Sequence, residues 1–178
     1  MTNDQNSYKK GVITMKQSKK IITYNLFPLL AGKFTDWKSH LERAAEMGFN
    51  WIFVNPIQHP GFSGSLYSIN DYSRFNPLFI DEKSKKLPQE QLIETKKIAD
   101  KLGLKMMIDL VVNHCAIDSY LLKEHPEWFL REKNGRVAHP FCDENGKKVV
   151  WEDLAQINHQ NTQNTKDKEG VFQFFSKV

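Results

Sequence analysis

Between residues 21 and 114 the apolar positions form short runs separated by helical stripes. Residues 21–27, IITYNLF, make a β-branched and aromatic run halted by Pro28, and Trp51–Val54, WIFV, is closed by Asn55-Pro56, so each predicts a strand. A third run, KMMIDLVVNH at 105–114, is almost continuously apolar, as suits a parallel strand covered on both faces. Asp109 interrupts it with a carboxylate, and strand alternation places 109, 111 and 113 on one side. Asn113 and His114 end the run, where parallel α/β sheets keep their ligands. Between the strands, Asp36 is placed to cap a helix carrying Trp37, Leu41, Ala44 and Ala45, with Gly48 as its left-handed terminator. Pro88 opens a second helix with Leu92, Ala99 and Leu102 on one stripe and Gly103 at its end. Met47-Gly48-Phe49 leads into the second strand as Leu102-Gly103-Leu104 leads into the third. Helix, glycine, strand, repeated, predicts βαβ units and a parallel sheet.

The remaining stretches lack such periodicity. Residues 55–87 read as a long loop, yet Leu66, Tyr67, Ile69, Tyr72, Phe75 and Phe79 are too many apolar side chains for a solvated linker. Residues 115–160 hold turns at Asn134-Gly135 and Asn145-Gly146 between short apolar runs, which predicts small strands or hairpins. A helical or strand-like pattern begins near Gly170, and the polar residues 1–20 read as a mobile leader.

Composition changes this picture little. A chain of 178 residues, 40% apolar and 26% charged, can bury one sizeable core, and its formal charge of +4 is spread over separated lysines rather than one face. Nucleic acid is therefore not an expected partner, nor is a membrane, since no apolar stretch approaches spanning length. Two cysteines and no signal-peptide core suggest a cytoplasmic protein.

The pattern D-L-V-V-N-H at 109–114 resembles the first signature of the α-amylase superfamily, glycoside hydrolase family 13, which lies on the third strand of its barrel. Residues 66–72, LYSINDY, resemble the family's G-Y-D-x-x-D-Y segment, and 151–158, WEDLAQIN, resemble its short D-L-x-x-L-N signature. The resemblance implies an α/β fold: the first three strands of a (β/α)8 TIM barrel plus an inserted loop-rich small domain, an incomplete barrel. On that reading 1–20 is a leader, 21–114 holds three βα units, 115–165 is the inserted domain and 166–178 begins the next helix.

The resemblance also implies chemistry on α-glucans or maltodextrins, by a retaining mechanism with two carboxyl groups. Tyr67 would form an aromatic floor under the sugar, and His114 would donate a hydrogen bond to one of its hydroxyls. Asp109 and Asp71 would support the site, Asp109 by holding a later arginine, while Asn113 and Asp153 match positions that bind a structural calcium in many members. Leu66 replaces a usual glycine, and Ser68 stands where exo-acting members carry an aspartate. The family's nucleophile, acid and third carboxylate lie on strands four, five and seven, so residues 1–178 alone are expected to leave α-glucosidic bonds intact. A glucan-binding module without catalysis is the alternative. A zinc site from His114, Cys115, His139 and Cys142 is disfavoured because adjacent His-Cys is poor ligand geometry.

Overall fold

The computed structural model describes residues 20–160 and 170–178. All of the expected leader except Lys20 therefore lies outside the described residues, as does 161–169. Strands β1 (Thr23–Leu26), β2 (Trp51–Val54) and β5 (Lys105–Ile108) form a parallel sheet in the order β1-β2-β5. Helices α2 (Lys38–Glu46) and α3 (Pro88–Lys101) make the crossovers, as the repeated pattern predicts. Both end alike: Gly48 and Gly103 adopt φ of +85° and +74°, and the next amides reach back five residues, Phe49 N to Ala44 O at 3.1 Å and Leu104 N to Ala99 O at 2.9 Å. Such a termination needs a left-handed residue, which glycine adopts without a steric penalty. Phe34, Trp37, Leu41, Ile52, Val54 and Leu104 fill the core between these helices and the sheet.

The structure departs from several sequence expectations here. Asp36 does not cap α2; it closes a preceding 3₁₀ turn, Phe34–Asp36, by accepting from Lys33 N at 3.0 Å. A short helix α1 (Pro28–Ala31) follows β1 directly, because proline that stops a strand is also well suited to the first turn of a helix. The third strand ends at Ile108, so the alternation expected for 109, 111 and 113 does not hold: Val111 is buried and Asn113 exposed. Among the described residues β5 is a sheet edge, and Met107 and Ile108 are exposed rather than covered on both faces.

The long connection from 55 to 87 contains an antiparallel pair, β3 (Gln58–Pro60) with β4 (Ile69–Phe75), followed by a 3₁₀ turn at Pro77–Phe79. Beyond β5, β6 (His114–Ala116) is followed by α4 (Leu121–Glu124) and a 3₁₀ turn at Pro126–Trp128. Next come β7 (Phe141–Glu144), β8 (Lys147–Val150) and β9 (Leu154–Gln156), and β9 returns to pair with β6. Asn145 and Gly146 join β7 to β8 with φ of 57° and 78°, the double positive of a tight hairpin turn. A second core, around Ile69, Tyr72, Val111, Cys115, Trp128 and Ile157, receives Val171 of α5 (Val171–Phe175). Among the described residues no helix is long and apolar enough to cross a membrane.

Candidate functional site

The carboxyl ends of β2 and β5 lie side by side. Val54 pairs with Ile108, and Asp109 N donates to Val54 O at 2.8 Å, so Asn55 and Asp109 are neighbours on leaving the sheet. Among the described residues no arginine or lysine pairs with the Asp109 carboxylate. It faces a cavity of about 870 Å³ shared with Ile57, Tyr72, Trp128 and Phe174. Neither Tyr67 nor His114 lines that cavity, so it is separate from the expected sugar contacts.

Tyr67 and His114 meet above the sheet. His114 Nε2 lies 3.0 Å from Tyr67 O, and a carbonyl only accepts, so Nε2 carries the proton. Asn55 Nδ2 donates to the Tyr67 hydroxyl at 2.9 Å, and Ser65 Oγ accepts from Tyr67 N at 3.2 Å. Tyr67 remains 39% exposed, enough to offer a face to a ligand. The His114 Nε2–H, expected to serve a sugar hydroxyl, is engaged here by Tyr67 O, and Nδ1 is buried without a partner among the described residues. Asn55, read in the sequence only as a strand terminator, is the residue that sequence reasoning missed; its one signal was a polar amide at the carboxyl end of a strand.

Burial holds the His114 imidazole below its ordinary 6.5, against smaller upward pulls from the Tyr67 bond and from Asp153. On acidification the unfolded chain binds this proton first. The stability is therefore complete above pH 6.5 and is lost as pH falls from 6.5 towards the lowered value. Melting temperatures from about pH 8 to about pH 5 should show that loss in the parent chain and a shallower one in His114→Gln. Parallel curves would remove His114 as its cause.

A second set of contacts ties the Tyr67 loop and β4 to β6 and the residues on either side of it. Tyr72 Oη reaches Val111 O at 2.9 Å and His114 O at 3.0 Å from a buried position. Asp118 Oδ2 accepts from Phe62 N at 3.2 Å, its carbonyl accepts from Asn70 Nδ2 at 2.8 Å, and Ser119 Oγ donates to Asn70 O at 2.7 Å. Ser68 is buried, with its hydroxyl 3.5 Å from Asp153 O, so it faces the protein and not a ligand. Asp71 is committed locally: its Oδ1 accepts from Ser73 N at 2.9 Å and Ser73 Oγ at 2.7 Å.

Ile157 N donates to Asn113 O and Ile117 N donates to Asp153 O, so Asn113 and Asp153, the pair expected to hold calcium, stand at opposite ends of the β6–β9 ladder. Burial pushes the Cys115 thiol up to about 12, and among the described residues no group of three His, Cys, Asp or Glu side chains is placed to hold a metal ion.

Residues 17–136 match the family described as the glucanotransferase domain of glycogen debranching enzyme. The glycogen debranching enzyme of Saccharomyces cerevisiae is 33% identical over 93 residues, 52% of this chain and 6% of that protein. An alpha-1,4-glucan:maltose-1-phosphate maltosyltransferase from Arcanobacterium haemolyticum is 26% identical over 87% of this chain and 25% of its own length. The chain thus spans a quarter or less of these relatives. Among solved structures, a maltogenic alpha-amylase from Thermotoga neapolitana aligns with a TM-score of 0.65 at 26% identity, covering 88% of this chain and 36% of that one. An alpha-amylase from Lactobacillus plantarum, at 23% identity and a TM-score of 0.66 over 88% of this chain and 36% of that one, shares the fold.

Proposed function

Since the chain belongs to the family of the glucanotransferase domain of glycogen debranching enzyme and is an amino-terminal portion of an α-amylase-type catalytic domain, we propose that it forms the sugar-gripping part of an α-glucan-acting enzyme. Its three parallel strands are then the first of a (β/α)8 barrel, with the β6–β9 region as an inserted small domain. Transfer is favoured over hydrolysis, because the family description names a glucanotransferase and the bacterial relative is a maltosyltransferase.

The observation that carries this reading is Tyr67: a half-exposed aromatic ring at the carboxyl side of the parallel sheet, held by hydrogen bonds at its hydroxyl and its backbone. An aromatic face matches the apolar C–H surface of a sugar ring. Retaining cleavage requires two carboxyl groups ~5–5.5 Å apart. The grip described here consists of a phenol, an amide and an imidazole, so bond cleavage is assigned to groups outside it.

Calorimetric titration of the 178-residue chain with maltoheptaose tests the proposal. Tyr67→Ala should weaken binding by ~1–3 kcal/mol, the scale of a lost aromatic contact and its buried area, while the parent chain leaves the oligosaccharide uncleaved. An unchanged affinity in the variant would count against the tyrosine grip, and release of shorter sugars would count against the division of labour.

A further inference from the structure

Tyr67 has its backbone held on both sides, by Ser65 Oγ at its amide and His114 at its carbonyl, yet neither contact fixes the ring. Among the described residues its hydroxyl has one hydrogen-bond partner, Asn55 Nδ2 at 2.9 Å. Asn55 is 8% exposed, stands directly after β2 and is followed by Pro56, so both its backbone and its side chain are confined. Its Oδ1 is buried and accepts nothing among the described residues, so its bond to Tyr67 is the amide's one side-chain contact there.

We infer that Asn55 is the positioning residue of this grip: its amide donates into a lone pair of the Tyr67 oxygen, fixes the ring and leaves the phenolic O–H to donate outward to an acceptor oxygen of a sugar hydroxyl. This rests on the glucan reading above. A phenol has one O–H to give and can also accept. With the accepting side occupied from within, the group presented to a ligand has one polarity, a donor. The ring is also ordered before the ligand arrives, which removes the cost of immobilising it on binding.

Three variants separate this role from a merely structural one. Asn55→Ala frees the ring, Asn55→Asp keeps the size but can only draw the phenolic proton inward, and Tyr67→Phe deletes the hydroxyl. The tyrosine ring-carbon resonance next to the hydroxyl, assigned by its loss in Tyr67→Phe, should shift in Asn55→Ala. In Asn55→Asp it should lie further towards the phenolate position, because the phenol then donates to a carboxylate. Maltoheptaose affinity should fall about 3- to 10-fold in Asn55→Ala, the scale of an unpaid side-chain immobilisation, and at least as far in Asn55→Asp. Adding Asn55→Ala to Tyr67→Phe should cost little more than Tyr67→Phe alone, since both act through one oxygen. A Tyr67 resonance that stays in place in both Asn55 variants, or full affinity in Asn55→Ala, would overturn the role of Asn55. No uptake of maltoheptaose by the parent chain would instead overturn the glucan reading, whatever the resonance does.

Discussion

Truncation of Tyr72 to alanine is expected to destabilise the chain by ~3–5 kcal/mol, the range for removing a buried aromatic side chain. The ring is packed edge-on against Phe174 and Phe175 of α5, with centroids 5.8 and 5.1 Å away, and its hydroxyl is shared between the carbonyls of Val111 and His114. One side chain thus joins three separate parts: β4, the turn between β5 and β6, and α5. Burial pushes the titration of its phenol above the usual range, which keeps the O–H a donor at neutral pH. Tyr72→Phe isolates the polar part. It keeps the ring but leaves both carbonyls short of a donor, and should cost ~1–3 kcal/mol. Urea unfolding with an unchanged slope would read both numbers, and a Tyr72→Phe midpoint equal to that of the parent would show that the turn is held by packing alone.

Gly61→Ala is expected to lower stability by ~1–3 kcal/mol, as overpacking does, and to weaken maltoheptaose binding because it displaces the Tyr67 loop. A Cβ at Gly61 would meet Asp118 Oδ1 at 2.4 Å and Ala116 Cβ at 2.5 Å. The carboxylate could swing aside, giving up its bond to Phe62 N, but Ala116 is fully buried in β6 and paired with Leu154. The glycine-bearing loop must therefore move relative to the strand that carries His114. Asp118→Ala alone should cost less, and Gly61→Ala with Asp118→Ala should stay impaired because the Ala116 contact persists. Recovery of parental melting and affinity in that double variant would place the clash at Asp118 instead.

Much of this molecule was legible from local signals. Trp51–Val54 is a strand as its apolar run and Asn55-Pro56 stop require, Gly48 and Gly103 are left-handed terminators, and Asn145-Gly146 turns a hairpin. Each of these rests on interactions within a few residues, where propensity and pattern hold the information. The 105–114 run misled because apolarity measures burial and not pairing. Its first four residues join the parallel sheet, while His114, Cys115 and Ala116 pair antiparallel with a strand some forty residues later. No local pattern distinguishes one partner from the other.

By itself, then, the sequence determined the βαβ order, the helix ends, the hairpin turn and the presence of Tyr67 and His114 among motif residues that resemble a known family. Tertiary structure decided what those residues contact. Antiparallel register drew Asn113 and Asp153 apart, and long-range hydrogen bonds turned His114 towards Tyr67 and brought Asn55 to its hydroxyl. The physical reason is one of range. Helix caps and turns are closed by the chain's immediate neighbours, whereas a side-chain donor is claimed by whichever acceptor the packing of distant segments brings within ~3 Å.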